Sequence, residues 1–336
     1  MIEFFKEPKI DWMGKAKYFY ALSFLLLLAG WISIFAKGGF YYGIDFKGGT
    51  NVDVRFTQPP NIEQLRKALS TQGLGNSEIQ SIADVGAGKS SEVQIFVGQK
   101  DLSDEARDSS KAEVIAALNT AYGPGSFVIR NAEIVGAKVG AELRRQAVFV
   151  TLYALGGMLL YIAFRFEWVF GAAAVLAVFH DVLITLGFFS LLHYEISLTV
   201  IAALLTLVGY SMNDTIVIFD RIRENNRLLR KEDFAAVVNK SINQTLSRTI
   251  LTSGLTFLTV LVLFLMGGQV LRAFSFALVV GIVVGTYSSF GIAAPLVVWW
   301  HHWKDQQASA GSGPAAGNKP RNSEVAAGRL APAGRR

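Results

Sequence analysis

The chain contains 336 residues, of which 51% are hydrophobic and only 17% are charged. Soluble domains carry about 25% charged residues. Because the apolar residues here are also gathered into long blocks, the composition indicates an integral membrane protein. The absence of cysteine excludes disulfides and thiolate metal sites. The four histidines are too scattered to predict a metal centre, and the sequence predicts no cofactor.

Six apolar blocks are long enough to cross a bilayer, which takes about 20 residues of helix. In chain order they are 18–36, 147–164, 168–192, 196–219, 249–266 and 273–300. The fold class predicted is a polytopic α-helical membrane protein with six transmembrane helices. The predicted divisions are a cytoplasmic tail (1–17), a first helix (18–36), an external domain (37–146), helices two to six (147–300) with a cytoplasmic loop (220–248), and a disordered cytoplasmic tail (301–336).

Basic residues predict the orientation of these helices. Lys and Arg are frequent before the first block, between the fourth and fifth, and after the sixth, whereas the loop after the fifth has only Arg272. Since short loops rich in Lys and Arg stay in the cytoplasm, both termini are predicted to be cytoplasmic. The net charge of +6 belongs to these loops, so nucleic acid is not an expected partner.

The segment 37–146 differs in pattern, with 13 basic and 13 acidic residues and alternating polar and apolar positions. Its periodicity predicts a strand, a helix, two strands, a helix and a strand, which is a split βαβ, ferredoxin-like order. The predicted ranges are 50–56, 61–72, 79–85, 91–97, 103–121 and 127–135, with a turn at 86–88. It carries no catalytic constellation, so we interpret it as a module that contacts a partner or a passing substrate.

Asp214 is the most informative single residue, because it lies within the fourth apolar block. A carboxylate near the centre of a membrane helix costs about 2.5–3.5 kcal/mol or more, and such residues are usually functional. Asn213 and Ser211 are expected to hydrogen-bond to it, and Gly209 to admit a neighbouring helix closely. The alternative is a buried structural carboxylate, or a residue at the helix end near the interface.

Three further features lie in the predicted spans. Arg248 begins the fifth block and is either an interfacial cation or a counter-charge that helps Asp214 to exchange protons. It is followed at helical spacing by a polar stripe, made of Thr252, Thr256 and Thr259. Asp181, about the middle of the third block, is interpreted as either a packing residue or part of a proton relay. The small-xxx-small pair Gly281 and Gly285 predicts close helix packing.

Three segments carry a resemblance to a known family. They are Gly43–Thr50 with its pair Gly48 and Gly49, Val208–Asn225 (VGYSMNDTIVIFDRIREN), and the start of the fifth span from Ser247. In order and spacing they resemble the glycine-pair motif, the fourth-span signature and the fifth-span start of the SecD/SecF family of bacterial protein-export membrane proteins. The likeness is to the smaller, SecF-type members.

The resemblance implies half of an RND-superfamily transporter, with SecD as the other half and a ferredoxin-like domain between helices one and two. It implies a multi-pass protein of the bacterial inner membrane that uses the proton motive force (sodium in some members) to assist late translocation through SecYEG. The family's intramembrane Asp maps onto Asp214 and its Arg onto Arg248. Implied partners are SecD, expected as a separate chain, SecYEG, YajC, YidC and the exported unfolded polypeptide.

Three alternatives remain open at this point. One is an RND-type small-molecule efflux subunit, although such pumps usually carry two full halves. Another is an intramembrane aspartyl protease using Asp181 and Asp214, although its glycine-x-glycine-aspartate motif is absent. The third is an assembly factor for the translocon, in which Asp214 would serve only the stability of the complex.

Overall fold

The computed structural model describes residues 8–82, 91–98, 105–165 and 167–311. Helices and strands alternate only in the segment between the first two long helices. The elements are α1 (Trp12–Ala36), α2 (Ile44–Lys47), β1 (Gly49–Phe56), α3 (Ile62–Thr71), β2 (Glu78–Ile82), β3 (Glu92–Val97), α4 (Glu105–Tyr122), β4 (Phe127–Val135), α5 (Ala137–Arg165), α6 (Trp168–Leu192), α7 (Leu198–Leu228), α8 (Phe234–Met266), α9 (Gly268–Ser288), a π-helical turn (Ser289–Ala293) and α10 (Ala294–Gly311).

In this part of the chain, six helices are long and apolar enough to cross a membrane. They are α1, α5, α6, α7, α8 and a last helix in which α9 and α10 join through the π-helical turn. The prediction of a polytopic helical membrane protein is confirmed, and α6 has the bounds expected for the third span. This agreement follows because the length of an apolar block reports directly on the hydrocarbon thickness that the helix must cross.

Several helices extend beyond the apolar blocks and are longer than the membrane spans predicted for them. Helix α1 already begins at Trp12, α5 begins at Ala137, and α7 and α8 together make most of the 220–248 loop helical. Residues 301–311 continue the last helix instead of forming a disordered tail, and residues 312–336 lie outside the described residues. An apolar block marks only the part of a helix in hydrocarbon, whereas backbone hydrogen bonding continues the helix into water.

The segment between α1 and α5 folds as the predicted ferredoxin-like domain. Its four strands are antiparallel in the order β2-β3-β1-β4. Helices α3 and α4 cover one face, where Leu65, Leu69 and Leu118 are fully buried. Asn61 caps α3 as expected, with its Oδ1 accepting from Glu63 N at 2.9 Å. The predicted turn at 86–88 lies outside the described residues.

Small residues bring the membrane helices into close contact. A Cβ atom built on Gly187 of α6 would lie 3.0 Å from the Cα of Gly30 of α1, so the two backbones touch. Near this crossing, the hydroxyls of Ser33 and Ser190 are 2.9 Å apart. Small residues are the usual means of close helix approach in a bilayer, where lipid removes the hydrophobic drive for association.

Gly187→Ala is therefore expected to lower the melting temperature of the purified protein in detergent. The added methyl group overpacks the α1–α6 crossing, which typically costs about 1–3 kcal/mol. Gly157→Ala in α5 is the matched control, because a Cβ atom there meets nothing within 4 Å. Equal melting temperatures for the two variants would contradict the close contact.

Candidate functional site

Asp214 lies on α7 and is buried against α8. Its side chain is 3% exposed, and its Oδ2 accepts a hydrogen bond of 2.6 Å from the hydroxyl of Ser253. Burying a carboxylate in a membrane without such a partner would be strongly unfavourable. Within the described residues Ser253 is the one hydrogen-bond donor to this carboxylate. A carboxylate has two acceptor oxygens and can accept several hydrogen bonds, so most of the accepting capacity of Asp214 is unused.

Arg248 begins the membrane part of α8, five residues before Ser253. In the described structure no ion pair within 4.0 Å joins its guanidinium to Asp214, and Arg248 is exposed. The hydroxyls of the polar stripe donate to carbonyls of their own helix four residues earlier, as with Thr252 to Arg248 O at 3.0 Å. The stripe is therefore satisfied locally.

Asp181 is the centre of a second network and is completely buried. Its Oδ1 lies 2.8 Å from His180 Nδ1, and its Oδ2 accepts from Ser211 at 2.6 Å and from Ser288 at 2.8 Å. These donors come from α6, α7 and α9. Asp181 thus ties three membrane helices together through a single carboxylate.

This second network extends toward α1 and borders an irregular turn. The ring of Tyr287 meets His180 edge to face with centroids 6.0 Å apart, and its hydroxyl is 3.1 Å from that of Ser23 on α1. The π-helical turn starts directly after Ser288. Such turns are rare in proteins, and those that do occur are often found at functional sites. The wider coil changes the direction in which the neighbouring side chains point.

The structure separates some of the predicted site residues. The expected hydrogen bond from Ser211 to Asp214 is wrong, because Ser211 donates to Asp181 instead. Asn213 is exposed and is not among the hydrogen-bond donors to Asp214. Gly209 also faces outward, and a Cβ atom there meets nothing within 4 Å. The two carboxylates have different hydrogen-bond donors, and in the described structure no hydrogen bond joins one to the other as it does in the proton-sharing pair of an aspartyl protease.

Gly281 and Gly285 pack α9 against α7. Cβ atoms built on them would meet the Leu207 side chain at 2.5 Å and the Ser211 Cβ at 2.9 Å. Ser288 lies on the same helical face, three residues after Gly285, and completes the contact through Asp181. The sequence analysis missed Ser253 and Ser288, although the spacing of Ser288 from the glycine pair is a signal for the buried face.

The segment that carries the glycine pair also joins the external domain to the start of α7. Gly48 and Gly49 have φ of +71° and +135°, and a Cβ atom on Gly49 would lie 2.6 Å from the carbonyl oxygen of Val97. Only glycine fits this close, left-handed backbone. Just before the pair, Asp45 Oδ2 accepts from the backbone N of Leu198, the first residue of α7, at 2.8 Å. A backbone bridge from Gly43 N to Ile196 O, 2.9 Å long, reinforces the join.

Comparison with known proteins decides the family. A family model described as protein export membrane protein SecD/SecF, C-terminal, matches residues 114–303, and one described as SecD/SecF GG motif matches residues 32–60. The chain belongs to the SecD/SecF family. The first match contains Asp181 and Asp214 with their hydrogen-bond donors, and the second contains the glycine pair together with Gly43 and Asp45, which bond the domain to the start of α7.

Individual SecD/SecF relatives agree with this assignment. Protein translocase subunit SecF of Koribacter versatilis is 43% identical, with 94% of this chain and 97% of the relative covered. Protein translocase subunit SecDF of Thermus thermophilus is 46% identical, with 90% of this chain but only 40% of the relative covered. The chain therefore spans nearly all of one relative and about two fifths of the other.

A solved structure shows the same architecture. The crystal structure of SecDF, a translocon-associated membrane protein from Thermus thermophilus, is 44% identical and superimposes with a TM-score of 0.77. The superposition covers 88% of this chain and 39% of that one.

In the described residues, no group of three or more His, Cys, Asp or Glu side chains is arranged to hold a metal ion.

The two networks predict different costs of truncation. Asp181→Ala removes the acceptor of three donors, of which the Ser288 hydroxyl keeps a second contact with Gly285 O, whereas Asp214→Ala removes the acceptor of the Ser253 hydroxyl alone. Since each unsatisfied buried group costs about 1–3 kcal/mol, Asp181→Ala should unfold at a clearly lower temperature than Asp214→Ala. Thermal unfolding of both variants in the same detergent is the measurement, and equal losses would contradict the assigned hydrogen bonds.

Proposed function

We propose that this protein is the SecF-type subunit of the Sec protein-export machinery. With SecD, it uses the proton motive force to assist late translocation of unfolded polypeptide through SecYEG. The observation that carries the coupling role is the buried intramembrane carboxylate of Asp214, which a single serine hydroxyl satisfies. The role is that of a transport subunit and not of an enzyme, and YajC and YidC are proposed as further partners.

Asp214 is suited to change its protonation state during a transport cycle. Ser253 can donate to the carboxylate and, by rotating its hydroxyl, accept from the protonated acid. The Thr249 hydroxyl, one turn earlier on α8, is buried and has no partner among the described residues. It offers an alternative contact if α7 and α8 shift. Asn213 and Asp181 are proposed as supporting members of the proton path.

A polar face on α7 and α8 supports pairing with SecD. Gly209, Asn213, Arg248 and Thr252 are all exposed although they belong to membrane-spanning helices. Small and polar residues in such positions typically pack against another helix, since lipid cannot satisfy them. The name of the Thermus relative joins SecD and SecF in one subunit, which is consistent with a second half packed on this face.

The coupling is proposed to reach the external domain through α7. Asp214 lies 16 residues after Leu198, which is about 24 Å along a helix at 1.5 Å per residue. Because Leu198 is hydrogen-bonded to Asp45, a shift of α7 moves the base of the domain. One charge crossing a potential of 100 mV supplies about 2.3 kcal/mol, enough to change a two-state equilibrium more than tenfold.

The proposed location is the bacterial inner membrane, with both termini in the cytoplasm. The distribution of Lys and Arg supports this orientation, because the end of α7 and its connection to α8 carry five basic residues: Arg221, Arg223, Arg227, Arg230 and Lys231. The ferredoxin-like domain then lies on the external side. That placement lets it meet polypeptide emerging from the translocon.

Asp214→Asn is expected to abolish gradient-dependent secretion in cells while leaving the complex with SecD intact. The amide keeps the size of the side chain but cannot release a proton. Asp220→Asn, at an exposed position of the same helix, is the matched control and should secrete normally. Secretion kinetics with and without a protonophore, together with co-purification of SecD, measure both parts. Normal secretion by Asp214→Asn would make this residue a structural carboxylate.

Arg248→Gln should slow gradient-dependent secretion by about tenfold or more, because it removes the positive charge five residues before Ser253 on α8, and a nearby positive charge favours the ionised form of a carboxylate. Arg248→Lys should retain most of the rate, since it keeps the charge. The same secretion assay compares the two variants. If Lys and Gln are equally defective, the geometry of the guanidinium matters and its charge does not.

A further inference from the structure

A polar cleft separates the external domain from the membrane helices. It has a volume of about 670 Å³ and lies between the open face of the sheet and the loop that joins α6 to α7. Pockets of about 300–1,000 Å³ are the usual size for binding small ligands and peptide segments. The carboxylates of Asp45, Asp53, Glu133 and Glu195 line it. None of these residues belongs to the intramembrane networks.

The open face of the sheet presents an ordered row of polar side chains to this cleft. In the strand register, Gln80 of β2 pairs with Gln94 of β3, Gln94 with Asp53 of β1, and Asp53 with Asn131 of β4. The row thus crosses all four strands, over about 14 Å at 4.8 Å per strand. All four residues line the cleft. A row of this length matches an extended stretch of about four residues.

Two residues that line the cleft each have a buried acceptor atom without a hydrogen-bond donor in the described structure. Asn51 is only 7% exposed, lines the cleft, and its Oδ1 has no partner within the described residues. The Oδ1 atom of Asp53 is likewise buried and unpaired. Buried polar atoms are normally satisfied, because leaving one unpaired costs about 1–3 kcal/mol. Both atoms are acceptors, so they point to a ligand that donates hydrogen bonds.

The electrostatics also favour a cation. Burial, followed by repulsion from Asp45, Asp53 and Glu133, raises the pKa of Glu195 to about 7. Burial, followed by repulsion from Glu133 and Glu92, raises the pKa of Asp53 to about 6. The basic groups near these carboxylates are Lys47, His193 and Arg272. Lys47 is paired with Glu78 at 3.2 Å, so the acidic groups outnumber the basic ones.

We propose that this cleft binds an extended polypeptide segment, with a Lys or Arg side chain inserted between Asp53 and Glu195 and the amide row of the sheet contacting its backbone. Carboxamide side chains both donate and accept, as peptide groups do. A metal ion fits less well, since no group of three potential ligands converges in the described structure. That the segment belongs to an exported chain rests on the proposed function.

The test measures peptide binding by the full-length protein purified with SecD in lipid nanodiscs. The probes are a fluorescent unstructured peptide with a central pair of lysines and the same peptide with glutamines, compared by fluorescence anisotropy. At about pH 8 the lysine peptide should bind about tenfold more tightly. This preference should diminish as the pH falls through about 7 and 6, because Glu195 and then Asp53 become neutral. Equal binding of the two peptides would overturn the proposal.

Two charge-matched variants locate the site. Asp53→Asn with Glu195→Gln should remove the preference for lysine. Glu63→Gln with Glu113→Gln, on the helices that cover the opposite face of the sheet, should retain it. Melting temperatures confirm that both variants fold, and the comparison of the two peptides on the unmodified protein needs no substitution. An unchanged lysine preference in the cleft variant would overturn the proposal.

Asp214→Asn separates this inference from the proposed function. It should lose secretion but bind the lysine peptide normally, because Asp214 does not line the cleft. If secretion depends on Asp214 but the peptide does not bind, the cleft proposal alone is wrong. If calcium ions bind saturably and only the cleft variant loses them, while neither peptide binds, the cleft is a cation site and the proposal is overturned.

Discussion

The membrane part of this protein is organised by the requirement that a buried carboxylate be hydrogen-bonded. Asp181 meets this requirement with three donors on α6, α7 and α9, and so fixes those helices relative to one another. Asp214 meets it with one donor, Ser253 on α8. A group bound from three sides resists change, whereas a group bound from one side can exchange its partner. The two carboxylates therefore differ in how firmly they are held: Asp181 is bound from three helices, and Asp214 by a single hydroxyl.

Helix α7 connects the parts of the molecule that matter for coupling. One face holds Ser211 against Gly285 of α9, another presents Asp214 to Ser253, and a third leaves Asn213 exposed. Its first residue is hydrogen-bonded to Asp45 at the base of the external domain. A displacement of this single helix changes the carboxylate environment, the exposed polar face and the domain anchor together. In the function that we propose, this is how a proton bound within the membrane would move a domain outside it.

The external domain has two chemically distinct faces. Its helices bury Leu65 and Leu118 in an apolar core, while the opposite face of the sheet carries amides and carboxylates toward the membrane helices. A simple scaffold would not need to bury Asn51 with an unpaired oxygen. The polar face and its cleft therefore have the features of a binding surface, located where the domain meets the start of α7.

The sequence by itself determined the six membrane helices, the succession of strands and helices in the domain, and the presence of a carboxylate, Asp214, inside one of those helices. Apolar length, alternation and the cost of a charge in lipid all depend on residues that are near one another in the chain. It did not determine that Ser253 binds Asp214, or that Ser211 and Ser288 bind Asp181. Those choices depend on how each helix is rotated against its neighbours. Contacts such as Gly187 with Gly30 and Gly285 with Ser211 set that rotation, and only the tertiary structure brings such distant residues together.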